Sequence, residues 1–119
     1  LRIELEKKSL PLEYDAVLLD APCSNTGVLR RRPDARYRLS EDAIAENVRL
    51  QRTLIKNAMK FVKKGGRFVY STCSIEKAEN IENAEFALGE NPDFRLVKSK
   101  VSFPDKFQDG EGAFLFERI

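Results

Sequence analysis

Apolar and polar positions along the chain alternate between strand-like runs and helical spacing. Short, nearly continuous apolar runs cover Tyr14–Leu19 and Arg67–Ser71, as is typical of strands buried in a parallel sheet. Between them, apolar residues recur at helical spacing from Ile44 to Val62, with Ser40 as a candidate N-cap. Lysines and Gly65–Gly66 follow and predict the helix end. The pattern predicts a strand–helix–strand unit with parallel strands.

The second half of the chain continues the alternation. It predicts a helix that begins at Ser74 or a neighbour, runs to about Leu88 and is closed by Gly89. Two strands follow, Phe94–Lys98 and Gly112–Glu117, with a loop but no helix between them, so the last strand is expected to run antiparallel. The predicted fold class is α/β, a mostly parallel sheet with an antiparallel last strand.

Length and composition limit what the chain can be. With 119 residues, 42% of them hydrophobic, it suits one domain at most. It begins at Leu1 and its only methionine is Met59, so we expect it to be part of a longer protein. No secretion signal opens it and no apolar run approaches the roughly 20 residues of a membrane helix. We expect a soluble, cytoplasmic protein without a membrane partner.

Cysteine and histidine usage narrows the chemistry. The chain has two cysteines and no histidine, which excludes a Cys–His pair, a Ser–His–Asp triad and a histidine metal site within it. Two thiols alone do not complete a zinc site, so no metal is expected. Without a secretion signal the cysteines are expected to be reduced thiols, although a Cys23–Cys73 disulfide is geometrically conceivable.

Each cysteine lies just beyond a predicted strand. Cys23 follows the first run and Cys73 follows the second, so parallel neighbouring strands would bring both to one end of the sheet, where α/β enzymes bind ligands. A lone strand-end cysteine is more often a packing residue, but two at equivalent positions favour chemistry. A third feature is a long loop containing the segment Val28–Arg38, which holds five arginines and one aspartate. That cluster fits either a phosphate-binding patch or a solvated surface loop.

Several ordered motifs resemble one enzyme family. The segments Asp20–Gly27 (DAPCSNTG), Leu29–Asp34 (LRRRPD), Ser71–Ser74 (STCS) with Glu79–Asn80, and Asp109–Phe114 (DGEGAF) are similar to the Sun/Nop family of RNA cytosine-5 methyltransferases. The resemblance covers about residues 14–119. It implies a partial Rossmann-like methyltransferase fold, with residues 1–119 forming the C-terminal part of one catalytic domain.

The resemblance also implies roles for three residues. Cys73 would be the nucleophile that adds to carbon 6 of the cytosine, and Cys23 would assist product release. Asp20 would lie at the junction of S-adenosyl-L-methionine and the base, although it could also be a turn residue. Cys73, just before a predicted helix start, would have its thiolate favoured by the helix dipole. The RNA partner is expected to be ribosomal RNA in preference to transfer RNA.

The family's glycine-rich cofactor loop and its ribose-binding acid do not occur in this sequence. We therefore expect the isolated chain to bind S-adenosylmethionine poorly and to be inactive, and its exposed sheet edge to invite pairing with another chain. A non-catalytic RNA-binding module, or a fragment that needs a complementing half, is the alternative. A cysteine phosphatase is disfavoured because six residues, rather than five, separate Cys23 from Arg30.

Overall fold

The computed structural model describes residues 13–24, 41–104 and 110–119, over which the chain forms one sheet and two α-helices. The elements in chain order are β1 (Tyr14–Asp20), α1 (Glu41–Met59), β2 (Val62–Thr72), a 3-10 turn (Lys77–Glu79), α2 (Ile81–Glu90), β3 (Phe94–Ser102) and β4 (Glu111–Arg118). The predicted α/β class is confirmed. The predicted Ser40 cap and the arginine cluster lie outside the described residues.

The sheet has the strand order β1-β2-β4-β3. β1 and β2 are parallel neighbours with Asp20 opposite Ser71, as the strand–helix–strand pattern predicts. β4 runs antiparallel to both β2 and β3, so β1, β2 and β3 share one direction and the last strand opposes them. This confirms the mostly parallel sheet with an antiparallel last strand.

The junction of α1 and β2 differs from the prediction, which extended the helix to Val62. The helix ends at Met59, and the Phe61 amide closes a turn onto the Ala58 carbonyl at 3.0 Å. The amide of Tyr14 then donates to the Phe61 carbonyl at 2.6 Å, which ties the start of β1 to this turn. Val62 is therefore the first residue of β2, because it pairs with Tyr14 of β1.

Gly65 and Gly66 interrupt strand pairing rather than ending the helix. The register between β1 and β2 shifts between Val62 and Arg67, and Gly65 adopts φ 83°, a left-handed conformation that favours glycine. A Cβ on Gly66 would stand 2.9 Å from the carbonyl oxygen of Asp15. Both glycines are explained by a bulge inside β2.

The second helix begins later than predicted. α2 starts at Ile81, because Ser74 directs its hydroxyl into side-chain bonds and accepts the Glu76 amide at 3.0 Å. The predicted closure at Gly89 is also wrong, since Gly89 lies inside the helix. The helix ends at Glu90 and is capped by Asn91, whose backbone and side-chain N–H groups donate to the Ala87 carbonyl at 3.1 and 3.0 Å.

Both helices contribute to the core on one face of the sheet. Aromatic pairs fill this face, with ring centroids 5.8 Å apart for Phe68–Phe116 and 6.2 Å apart for Tyr70–Phe114. The side chains of the opposite face are more open: Leu18 is 65% exposed and Val97 is 49% exposed. β1 is the edge of the described sheet. Leu18 is an exposed apolar side chain on this edge strand.

Candidate active site

The loops that follow β1 and β2 lie side by side at the same end of the sheet. The Ala21 amide donates to the Ser71 carbonyl at 2.9 Å, which extends the strand pairing past Asp20. Cys23 lies in the first loop and Cys73 directly follows β2; both are partly exposed thiols that no disulfide joins. The sequence prediction that parallel strands bring the two cysteine loops together is therefore met by the backbone.

One buried carboxylate connects the two loops. The Oε1 atom of Glu79 accepts the hydroxyls of Ser24 at 2.5 Å and Ser74 at 2.7 Å. Its Oε2 atom accepts the Ser24 amide at 2.9 Å and Gln51 Nε2 at 2.8 Å. The two hydroxyl oxygens are 3.4 Å apart. Because each serine directly follows a cysteine, Glu79 fixes both cysteine-bearing backbones.

Further buried polar groups form a hydrogen-bond network around Glu79. Gln51 Nε2 also donates to the Pro22 carbonyl at 2.8 Å, and its Oε1 accepts Asn83 Nδ2 at 2.8 Å. The Tyr70 hydroxyl donates to the Glu79 carbonyl at 2.7 Å and accepts from Asn83 Nδ2 at 3.0 Å. Gln51, Asn83 and Glu79 are each 0% exposed. A satisfied network of this kind rigidifies its surroundings.

The electrostatics of the network favour a neutral tyrosine. Burial raises the pKa of Tyr70 well above its ordinary value, and the hydrogen bond from Asn83 opposes this. The charges of Glu79 and Cys23 raise the Tyr70 pKa further. Tyr70 therefore keeps its proton and remains a donor to the Glu79 carbonyl.

A second set of bonds fixes the loop that carries Cys73. Asn80 accepts the Thr72 hydroxyl at 2.7 Å and donates from Nδ2 to the Ser74 carbonyl at 2.8 Å. Gly112 lies opposite Thr72 in β4, and a Cβ there would overlap the Asn80 amide. The glycine is therefore needed for close approach.

Asp20 is the last residue of β1 and is exposed at the end of the sheet that carries the cysteine loops. Its Oδ1 atom accepts the Ser71 hydroxyl at 3.0 Å. The expectation for Cys73 needs correction: the nearest helix after it is the 3-10 turn at Lys77, and α2 begins only at Ile81. Over the described residues, the α-helix that follows Cys73 therefore begins beyond the reach expected of a helix dipole.

Sequence reasoning missed the bonds that connect the loops. From the sequence, Glu79 and Asn80 stand out only as part of a motif, and nothing singles out Asn83. A signal exists for Gln51, which falls on the apolar stripe of its helix, three residues after Val48 and four before Ile55. A polar residue at such a position indicates a buried hydrogen-bond partner.

Within residues 13–24, 41–104 and 110–119, no group of three or more His, Cys, Asp or Glu side chains could hold a metal ion. Over the same part of the chain, neither helix is long and apolar enough to cross a membrane.

Comparisons with known proteins show which family the chain belongs to. The model of the family described as 16S rRNA methyltransferase RsmB/F matches residues 3–117. The described fold and the ordered motifs therefore coincide with one family over nearly the full sequence.

Individual relatives agree. The chain is 40% identical to ribosomal RNA small subunit methyltransferase B of Serratia proteamaculans, over 90% of this chain and 26% of that protein. It is also 40% identical to methyltransferase F of Pectobacterium carotovorum, over 88% of this chain and 21% of that protein. The crystal structure of NSun6 from Pyrococcus horikoshii with SFG, an analogue of S-adenosylmethionine, superposes with a TM-score of 0.85 and 27% identity, over 99% of this chain and 34% of that one. The chain thus spans about a quarter of the length of the curated relatives it matches.

Proposed function

Because the chain belongs to the 16S rRNA methyltransferase RsmB/F family, whose methyl donor is S-adenosylmethionine, we propose that it is the part of such an enzyme that carries the reacting thiols. The reaction is methylation of carbon 5 of a cytosine in RNA through a covalent cysteine adduct, in the cytoplasm. The observation that supports this most is the Glu79 bridge, which holds the loops of Cys23 and Cys73 at one end of the sheet.

The chemistry requires a nucleophile on the protein. Carbon 5 of cytosine is too weakly nucleophilic to take a methyl group directly. The Cys73 thiolate adds to carbon 6, forming a carbon–sulfur bond as the double bond between carbons 5 and 6 opens, and carbon 5 becomes enamine-like. Carbon 5 would then take the methyl group from the bound donor, whose sulfonium sulfur would keep the electron pair of the broken sulfur–methyl bond. Covalent catalysis of this kind divides one difficult step into two.

Release needs a second group. After methyl transfer, carbon 5 loses its proton, and the electron pair restores the ring double bond as the Cys73 sulfur leaves. Cys23, held beside that loop, assists this elimination.

Cofactor binding draws on this chain only in part. S-adenosylmethionine supplies an electrophilic methyl group when bound. The exposed carboxylate of Asp20, at the carboxyl end of β1, fits a position beside the donor and the base. The glycine-rich loop and ribose-binding acid would come from a preceding segment of the complete protein.

The proposed substrate is ribosomal RNA, since the family description and both curated relatives name it. Transfer RNA would be the next candidate. The arginine cluster of Val28–Arg38 supplies the positive charge for phosphate contacts.

The test compares cysteine variants of the complete protein incubated with RNA and methyl donor. We expect Cys23→Ala to accumulate a covalent RNA–protein complex on a denaturing gel, because addition proceeds while elimination stalls. Cys73→Ala should form no adduct and lose activity by more than about 1,000-fold.

The double variant Cys23→Ala/Cys73→Ala is the matched control and should also form no adduct. Failure of Cys23→Ala to trap RNA, with Cys73 intact and donor present, would contradict the division of roles. If substitution of neither cysteine changes activity or covalent RNA attachment, the result would favour the alternative of a non-catalytic RNA-binding module.

A further inference from the structure

We propose that Glu79 is a positioning residue that sets the separation of the Cys23 and Cys73 loops and so controls the rate of the covalent reaction. This inference rests on the proposed function, because it assigns both loops to one reaction. Glu79 belongs to neither loop; it lies in the 3-10 turn before α2.

The bond pattern supports a connecting role. Glu79 contacts Ser24, which is 55 residues away, through both the amide and the hydroxyl, and it contacts Ser74 through the hydroxyl. Its side chain is 0% exposed, so water does not compete for these bonds. A shift of Glu79 would therefore be transmitted to both cysteine backbones together.

The backbone of Glu79 is held as firmly as its side chain. Its carbonyl accepts the Tyr70 hydroxyl at 2.7 Å and Asn83 Nδ2 at 3.3 Å. Tyr70 is part of β2 and packs in the core, so its bond fixes the position of Glu79 relative to the sheet. Such support from a rigid element is what a precise site needs.

The donor set is matched by the two oxygens of the Glu79 carboxylate. Four donors converge on two oxygens, and only an ionised carboxylate accepts at every lone pair without donating. Two donors, the Ser24 amide and Gln51 Nε2, cannot reverse direction, whereas the serine hydroxyls can rotate to accept. Glutamine could therefore replace Glu79 with its oxygen toward the fixed donors and its NH₂ toward the hydroxyls. Alanine would remove the acceptor that these four donors share.

The kinetic consequence is specific. Misplacing a reacting group by about 1 Å can lower a rate by about 100-fold, while substrate contacts made elsewhere persist. Loss of the bridge should thus lower kcat and leave KM for RNA nearly unchanged.

The experiment uses the complete protein and compares wild type with Glu79→Ala, Glu79→Gln and Glu85→Ala. Glu85 is an exposed carboxylate on α2 and is the matched control. We expect Glu79→Ala to lower kcat by at least about 10-fold with KM for RNA changed by less than about twofold. Glu79→Gln should recover activity to within about threefold, and Glu85→Ala should match wild type. A folded Glu79→Ala protein with unchanged kcat, or with its loss confined to KM, would overturn the inference.

A second set of variants applies even if Glu79→Ala does not fold. Ser74→Ala removes the Ser74 side of the bridge, whereas Ser24→Ala removes the hydroxyl bond and leaves the Ser24 amide bond to Glu79 in place. Because both variants weaken one bridge, their combination should lose little more activity than the worse single variant. If the activity loss of the double variant equals the product of the two single losses, the serines act independently and the inference is overturned.

A third readout separates failure of this inference from failure of the proposed function. Alkylation of Cys23 and Cys73 by iodoacetamide, followed peptide by peptide by mass spectrometry, needs no RNA. Release of the bridge in Glu79→Ala should change the alkylation rates of both cysteines, whereas Glu85→Ala should change neither. If the wild type does not methylate cytosine, the proposed function fails, and unequal or absent alkylation changes would then also reject the positioning role.

Discussion

Asn80 and Gly112 show how tightly single residues are matched around the Cys73 loop. The Asn80 amide bonds Thr72 and the Ser74 carbonyl, and Gly112 leaves the space that this amide fills. We expect Gly112→Ala to destabilise the protein by about 1–3 kcal/mol, because the new Cβ displaces a buried amide from its bonds. The measurement is the midpoint of denaturant unfolding in the complete protein.

Gly89→Ala is the matched control for this substitution. Gly89 lies inside α2, and a Cβ there would meet no atom within 4 Å. Alanine in a helix interior should raise stability by about 0.5–1 kcal/mol. Equal effects of the two substitutions would show that the Asn80 contact does not constrain β4.

The residues of the site were only partly predictable from the sequence. Cys23, Cys73 and Asp20 could be singled out because motifs and strand ends are local patterns. The bonds of Glu79 could not, since they join positions 28 and 55 residues apart, and sequence spacing does not determine such pairings. The predicted helix start beside Cys73 is wrong for the same reason. The Ser74 hydroxyl donates to Glu79, and the α-helix begins only at Ile81.

At the scale of elements, apolar periodicity predicted every described strand and both helices, but not all their ends. β2 begins five residues earlier than its apolar run because pairing with β1 extends it across the Gly65 bulge. α2 begins seven residues later than Ser74 because side-chain bonds hold the intervening backbone. Tertiary hydrogen bonds, which periodicity does not encode, account for both differences.

The arginine-rich loop carries the prediction at this scale. Neutralising Arg30, Arg31 and Arg32 to glutamine in the complete protein should weaken RNA binding and flatten its dependence on salt. The slope of log K against log salt is negative, and each lost phosphate contact should reduce its magnitude by about 0.7 for a single strand. The measurement is a binding titration at several salt concentrations.

The matched control removes equal charge elsewhere. Lys60, Lys63 and Lys64 lie at the junction of α1 and β2, and Lys63 pairs with Asp15 near the start of β1, at the opposite end of the sheet from the cysteine loops. Their neutralisation should leave the slope closer to wild type. An unchanged slope in the arginine variant, or equal slopes in both, would place those arginines away from RNA.

At the scale of the whole molecule, this chain carries the cysteine loops but no glycine-rich loop for the methyl donor. We expect the 119-residue chain, titrated alone in a calorimeter, to give no binding heat at donor concentrations that saturate the complete protein. The complete protein in the same buffer is the control. Tight, stoichiometric binding by the isolated chain would show that these 119 residues suffice for the cofactor.

The open sheet face has a related consequence. Leu18 is exposed and β1 is an edge strand of the sheet that the described residues form, so pairing of that edge with another segment or chain remains a prediction.

The most direct measurement is the attachment site of RNA in the trapped complex of Cys23→Ala. Protease digestion and mass spectrometry should place the nucleotide mass on the peptide that contains Cys73, at carbon 6 of a methylated cytosine. Attachment to any other residue, or recovery of the same adduct from the Cys23→Ala/Cys73→Ala protein, would contradict the account.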